Sequence, residues 1–247
     1  VTPARATLHD PVALSAQADV LLTLAAALGE PDPARAARVV EAGEAAPALA
    51  DRAELGSAVA GALEALGCAA ALVPLDAWRE EHQRLFSGAV VCPPNEAGFV
   101  RRDKGAILGD IGAFHAAFGI ALAPEAAERA DHVVAELELL ALLLVMVARA
   151  EAEERDADAE VARGAVTALV CDHLADWLPA FALRLAATTS LVLYRAAAEA
   201  LAHVWDGLCD AHGLEDEAPG RPLPVVRPEA GTPYECGAVE SEQGGVA

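Results

Sequence analysis

The chain has 247 residues, 38 acidic against 17 basic, for a formal charge of −21. That length suits one large domain or two small ones, and the charge argues against general binding to nucleic acid or to an anionic membrane surface, because the field repels phosphate. Hydrophobic residues make up 55% but aromatics only 4%, so alanine, a strong helix former, carries much of the apolar share. Helical periodicity dominates, and no alternating strand pattern is evident. Asp10-Pro11 places an N-cap before a proline at the first helical position and opens a helix to about Leu28, with Gly29 after it. Asp32-Pro33 repeats the signal for a short helix to about Ala42. A third helix is expected from near Pro47 to Leu66, stopped at Gly67, and a fourth from Pro74 to Phe86, stopped at Gly88. Cys92-Pro93-Pro94-Asn95 reads as a loop, since consecutive prolines forbid helix.

Helix is expected again over Gly105 to Phe118, with Gly119 as terminator. Ala130 to about Glu154 is apolar nearly all round from Leu139 onward, the pattern of a central, buried helix. Ala157 to about Ala175, Trp177 to about Ala187 and Ser190 to about His212 complete the helical part, with Gly213 as C-cap. The chain therefore reads as an all-α, single-domain bundle of about nine or more helices over 1–215. Residues 216–247, broken by Pro219, Pro222, Pro224, Pro228 and Pro233, read as an extended tail. Tyr234, with Val225 and Val226, is the tail's expected anchor.

Five single cysteines without a CxxC pair argue against a disulfide framework and a four-thiolate zinc site, and point to a reducing compartment. Val1 to Pro11 lacks the signature of a signal peptide. The longest strongly apolar stretch, Leu139 to Ala148, is about half a bilayer span, so no membrane insertion is expected. Phosphate-loop, dinucleotide, nucleophile-elbow and HExxH motifs are missing. His132 and Glu136 stand one helical turn apart, but two ligands do not make a metal site. The expectation is no catalytic residues, no metal and no cofactor.

Four segments resemble the TorD/DmsD-type chaperones of molybdenum oxidoreductases, a superfamily that includes the NarJ type. Glu81-His82-Gln83-Arg84-Leu85-Phe86-Ser87-Gly88 resembles the family's charged and aromatic helix ending in Arg-Leu-Phe. Pro93-Pro94-Asn95-Glu96 is similar to its Pro-Pro-Tyr-Glu loop, with Asn95 in place of the tyrosine. Glu128-Arg129-Ala130-Asp131-His132 resembles its Glu-x-Pro-Asp-His signature, with Ala130 in place of the proline. His173-Leu174-Ala175-Asp176-Trp177-Leu178-Pro179-Ala180-Phe181 resembles a further segment.

The resemblance implies a TorD-like helical chaperone of the cytoplasm. Its partner would be the apo catalytic subunit of a molybdopterin oxidoreductase, often recognised through the twin-arginine signal peptide, as monomer or homodimer. On that basis Glu128, Asp131, His132, Glu136, Trp78, Phe86, Pro93, Pro94 and Glu96 are expected at the peptide site. Each has a plainer reading. Asp131 is also placed to N-cap the central helix. Trp78, Leu85 and Phe86 form a core-facing stripe, and Glu81 and Arg84 form an i, i+3 pair. Two other functions fit the same residues: a helical metal-dependent hydrolase built on His132 and Glu136, or a scaffold of the same fold.

Overall fold

A computed structural model describes residues 10–88, 90–120 and 129–214. The start of the chain, Glu128, and the tail expected over 216–247 lie outside the described residues. Among the described residues the fold is all-α, without strands. The helices are α1 (Pro11–Leu28), α2 (Pro33–Glu44), α3 (Ala46–Arg52), α4 (Gly56–Leu72), α5 (Leu75–Phe86), α6 (Lys104–Ala117), α7 (Val133–Ala152), α8 (Asp156–Leu169), α9 (Ala175–Thr188) and α10 (Val192–His212). A π turn over Val170–Leu174 joins α8 and α9 into one rod, and a single 3-10 turn spans Glu96–Gly98.

The caps read from sequence form as chemistry requires. Asp10 accepts from Val12 N at 3.0 Å, and Asp32 accepts from Ala34 N and Arg35 N at 2.7 and 2.9 Å. Gly213 takes the left-handed conformation that ends α10, with Leu214 N bonded to Cys209 O.

Three boundaries differ from expectation. The single helix expected from Pro47 to Leu66 is split at residues 53–55, where Glu54 and Gly56 adopt positive φ. Gly67 does not end α4, which runs on to Leu72. Its role is packing: α2 and α4 cross there so closely that a Cβ on Gly67 would lie 2.5 Å from the Gly43 Cα. The expected break between Ala175 and Trp177 is also absent. The π turn carries the rod through, and Pro179 sits inside α9.

The core is built on α1, which lies along α7 and also touches α2, α3 and α10. Gln17 on α1 is buried, with partners for both its nitrogen and its oxygen. Its amide donates to Ala53 O at 3.0 Å, and its oxygen accepts from His212 Nε2 at 2.9 Å, pinning the α3–α4 turn and the end of α10 to one side chain. By length and composition, Pro11–Leu28 and the rod Asp156–Thr188 could each cross a membrane, a longer apolar run than the stretch singled out from sequence. In this fold α1 spends that apolarity on α7 and its other neighbours.

α5 is held across the bundle by polar contacts. Trp78 Nε1 donates to the Tyr194 hydroxyl at 3.0 Å, and Phe86 packs on Tyr194 and Phe181. Glu81 accepts two hydrogen bonds from Arg84, one from the Thr189 hydroxyl and one from Ser190 N, at 2.6 to 3.0 Å. These donors, Arg84 first, hold its carboxyl down at about 2.

The glycine crossing gives a paired test. Gly67→Ala should destabilise the protein by about 1–3 kcal/mol, because two backbones must separate. Gly61→Ala, on the same helix with open space around its Cβ, should stabilise it by about 0.5–1 kcal/mol. Urea unfolding of both variants measures the difference.

Candidate functional site

The loop after α5 is tied to the start of α7 by its backbone. Val133 N donates to Pro94 O at 2.8 Å, Glu96 N donates to Asp131 O at 2.9 Å, and Asn95 pairs with His132 as an isolated antiparallel bridge. The two prolines hold the loop extended, which leaves the Pro94 carbonyl free to meet α7. α7 begins at Val133, and its N-cap is His132, whose Nδ1 accepts from Val134 N at 3.2 Å. The capping reading of Asp131 is therefore corrected by one residue.

That freed carboxylate turns inward. Asp131 is 0% exposed and accepts from Arg129 Nη2 at 2.6 Å, Asn95 Nδ2 at 3.2 Å and Ala97 N at 3.4 Å. Asn95, standing where the family loop carries tyrosine, thus contributes a hydrogen bond instead of a ring.

Two further carboxylates are buried nearby. Glu96 takes a hydrogen bond from His173 Nδ1 at 2.9 Å, and its other oxygen lies 3.7 Å from Arg102 Nη1. Glu136 accepts from Trp177 Nε1 at 3.1 Å, while its second oxygen has no hydrogen-bond partner. Burial first, then the charges of Glu96 and Asp131, push the Glu136 carboxyl well above its ordinary range. Both effects favour its protonated, neutral form.

Of the residues expected at a peptide site, Trp78, Phe86, Pro94, Glu96, Asp131 and Glu136 are buried, and Pro93 and His132 are half-buried. They form the frame of one end of the bundle. Cys92 is buried too, and burial pushes its thiol up to about 12, so it stays protonated. Among the described residues no three His, Cys, Asp or Glu side chains are placed to hold one metal ion.

Above that frame opens a cleft of about 840 Å³ between α6 and the rod of α8 and α9. Phe114, Phe118 and Val161 supply apolar walls, and Asp110, Asp172 and Asp176 supply carboxylates. His173 lines it as well, with its ring edge-on to Phe114 at 6.1 Å. Buried Glu96 stands behind the cleft, bonded to His173. α6 is seated by only three buried side chains, Ile107, Ile111 and His115. The sequence places α6, expected over Gly105 to Phe118, but gives no sign that it walls a cleft or that the three aspartates line it. The available signal was His173 and Trp177, one turn apart on a helix, with Asp172 and Asp176 immediately before them carrying charge outward. A second groove, about 400 Å³ between α9 and α10, is walled by Leu183, Ala202 and Trp205, with Arg195, Glu199 and Asp206 at its edges.

A family model described as nitrate reductase delta subunit matches residues 51–183, just over half of the chain. No curated protein matches it significantly. The matched span runs from the end of α3 to α9 and contains both the carboxylate frame and the cleft.

Two outcomes follow from the burial. Asp131→Asn should cost about 1–3 kcal/mol, because the amide cannot accept from all three donors, whereas an N-cap would tolerate it. His132→Gln should cost less. Glu136→Gln has the opposite sign. A carboxyl raised in the folded state lowers stability as pH climbs above its unfolded value of 4.5. The amide, which still accepts from Trp177, should remove that decline, so the variant gains on the native protein from pH 5 to pH 8. Urea unfolding across that range checks both.

Proposed function

The chain belongs to the nitrate reductase delta subunit family of molybdoenzyme maturation chaperones, and from that premise we propose that it acts in the cytoplasm on the leader peptide of an apo catalytic subunit. The partner is a molybdopterin oxidoreductase, held until its cofactor is inserted and then released for export or assembly. The observation that carries this reading is the cleft beside α6. A twin-arginine leader presents guanidinium groups next to an apolar stretch. Asp110, Asp172 and Asp176 offer carboxylates to the first, and Phe114, Phe118 and Val161 offer contact to the second. The net charge of −21 adds long-range attraction for such a cation. In this reading Glu96, Asp131 and Glu136 set the cleft's floor and frame, with Trp78 and Phe86 anchoring α5 behind them.

The experiment is titration of a labelled leader peptide against the purified chaperone. Affinity should fall several-fold between low salt and ~0.5 M salt, since exposed attraction is screened beyond about 8 Å at physiological ionic strength. Asp176→Asn should weaken binding about tenfold, the scale of a charge-assisted hydrogen bond, with little loss of stability because the residue is exposed. Replacing both leader arginines by glutamine should abolish the salt dependence. Full-strength, salt-independent binding of that glutamine peptide would refute an acidic peptide site.

A further inference from the structure

We propose that the cleft beside α6 contains a subsite for one guanidinium group, and that Arg102 is its resident occupant, displaced when a peptide arginine enters. The inference rests on the peptide-binding reading of that cleft and adds how the site is kept closed. Arg102 lies in the non-helical segment just before α6, two residues ahead of Lys104. Its guanidinium is met from three separate elements. Nη2 donates to the Asp110 carboxylate of α6 at 2.5 Å, Nη1 donates to the Asp172 carbonyl in the π turn at 3.0 Å, and Nη1 stands 3.7 Å from Glu96 Oε1 in the 3-10 turn.

Glu96 makes this more than a cluster of surface acids. Its Oε1 is buried and has no hydrogen-bond partner, and the group it faces is the Arg102 guanidinium. The side chain as a whole is 0% exposed. A buried carboxylate is costly without a cation beside it. The subsite therefore cannot stand empty at low cost, but it can exchange one guanidinium for another. In that exchange the desolvation of Glu96 is unchanged, and the planar fork that reaches three acceptors is supplied again. A lysine ammonium is a compact point charge and cannot reach the three together.

Arg102 is suited to leave. Its side chain is 33% exposed, and its backbone belongs to no helix, so withdrawal breaks no helical hydrogen bond. Arg129, by contrast, pairs with Asp131 inside the frame and lines no part of this cleft. A resident arginine keeps the acidic floor from accepting stray cations. It sets a threshold that a ligand with both an arginine and an apolar segment can exceed, because Phe114 and Phe118 then add contact that Arg102 does not use.

The test uses N-acetyl-arginine amide as probe, N-acetyl-lysine amide as control, and the full chain. In Arg102→Ala the arginine probe at millimolar concentration should raise Tm by about 2–4 °C, with the lysine probe and the native protein moving by less than ~1 °C. Isothermal titration should show the arginine probe binding the variant about tenfold tighter than the native chain. Equal response to both probes would mean that only net charge changed, and no response would mean that Arg102 is a structural clamp; either overturns the subsite. Arg102→Lys keeps the cation and guards against unfolding of the alanine variant. It should show the same order of probes with a smaller shift, and no preference for arginine there also counts against the proposal. Leader binding by the native chaperone, titrated alongside, reports on the peptide reading separately: its loss refutes that reading, while its persistence with a silent probe refutes only the subsite.

Discussion

Three carboxylates at one end of a greasy bundle need partners, and the arrangement around α7 is organised by where those partners come from. Glu96, Asp131 and Glu136 are each 0% exposed. In a low-dielectric interior each must be paired, hydrogen-bonded or neutralised. The molecule uses all three solutions. Asp131 takes Arg129, Asn95 and a backbone amide. Glu96 takes His173 and the Arg102 guanidinium. Glu136 accepts one indole N–H, and its burial favours the neutral form. These needs draw the proline loop, the start of α7, the π turn and the approach to α6 to one place, and the cleft is the space left above them.

The family match ends within α9, yet the matched segment does not close on itself. α7 is covered by α1, and α5 is fastened to α10 through Trp78 and Tyr194. Both covering helices lie outside the matched residues. They do the packing for a frame whose chemistry sits within the match. This division explains why α1 is apolar enough to span a membrane while being enclosed by neighbours. It also explains why a buried glutamine is tolerated on it: Gln17 finds both its partners on the turn and helix end that it must hold.

Most helices were legible because caps and periodicity are local. Asp10-Pro11, Asp32-Pro33 and Gly213 act through their own backbone neighbours, and the structure keeps each as read. Failures came where a residue answers to a distant partner. Gly67 looks like a stop in sequence, but its missing side chain serves the crossing with Gly43. Asp131 looks like a cap, but the backbone bridge to the proline loop shifts that duty to His132 and turns the acid inward. The resemblance located the frame residues without saying that they are buried. Asp110 and Asp172 lie outside the quoted segments and Asp176 is not singled out within its own, because an exposed acid carries no local signature in a chain with 38 acidic residues.

Charge placement links frame and cleft. A chain this acidic gains little specificity from surface carboxylates, since their field attracts any cation and salt screens it. Discrimination has to come from acids that water does not reach. Glu96 is such an acid, and it stands behind Arg102, one layer below Asp110 and Asp172. A cation drawn in by the outer aspartates meets a site that is already satisfied. On the proposed subsite, only a group that reproduces the guanidinium fork and brings apolar surface to α6 would improve on what is there. In the proposed reading the outer charge governs encounter and the buried charge governs selection, and the short non-helical segment carrying Arg102 would let the second follow the first without unfolding the helices on either side.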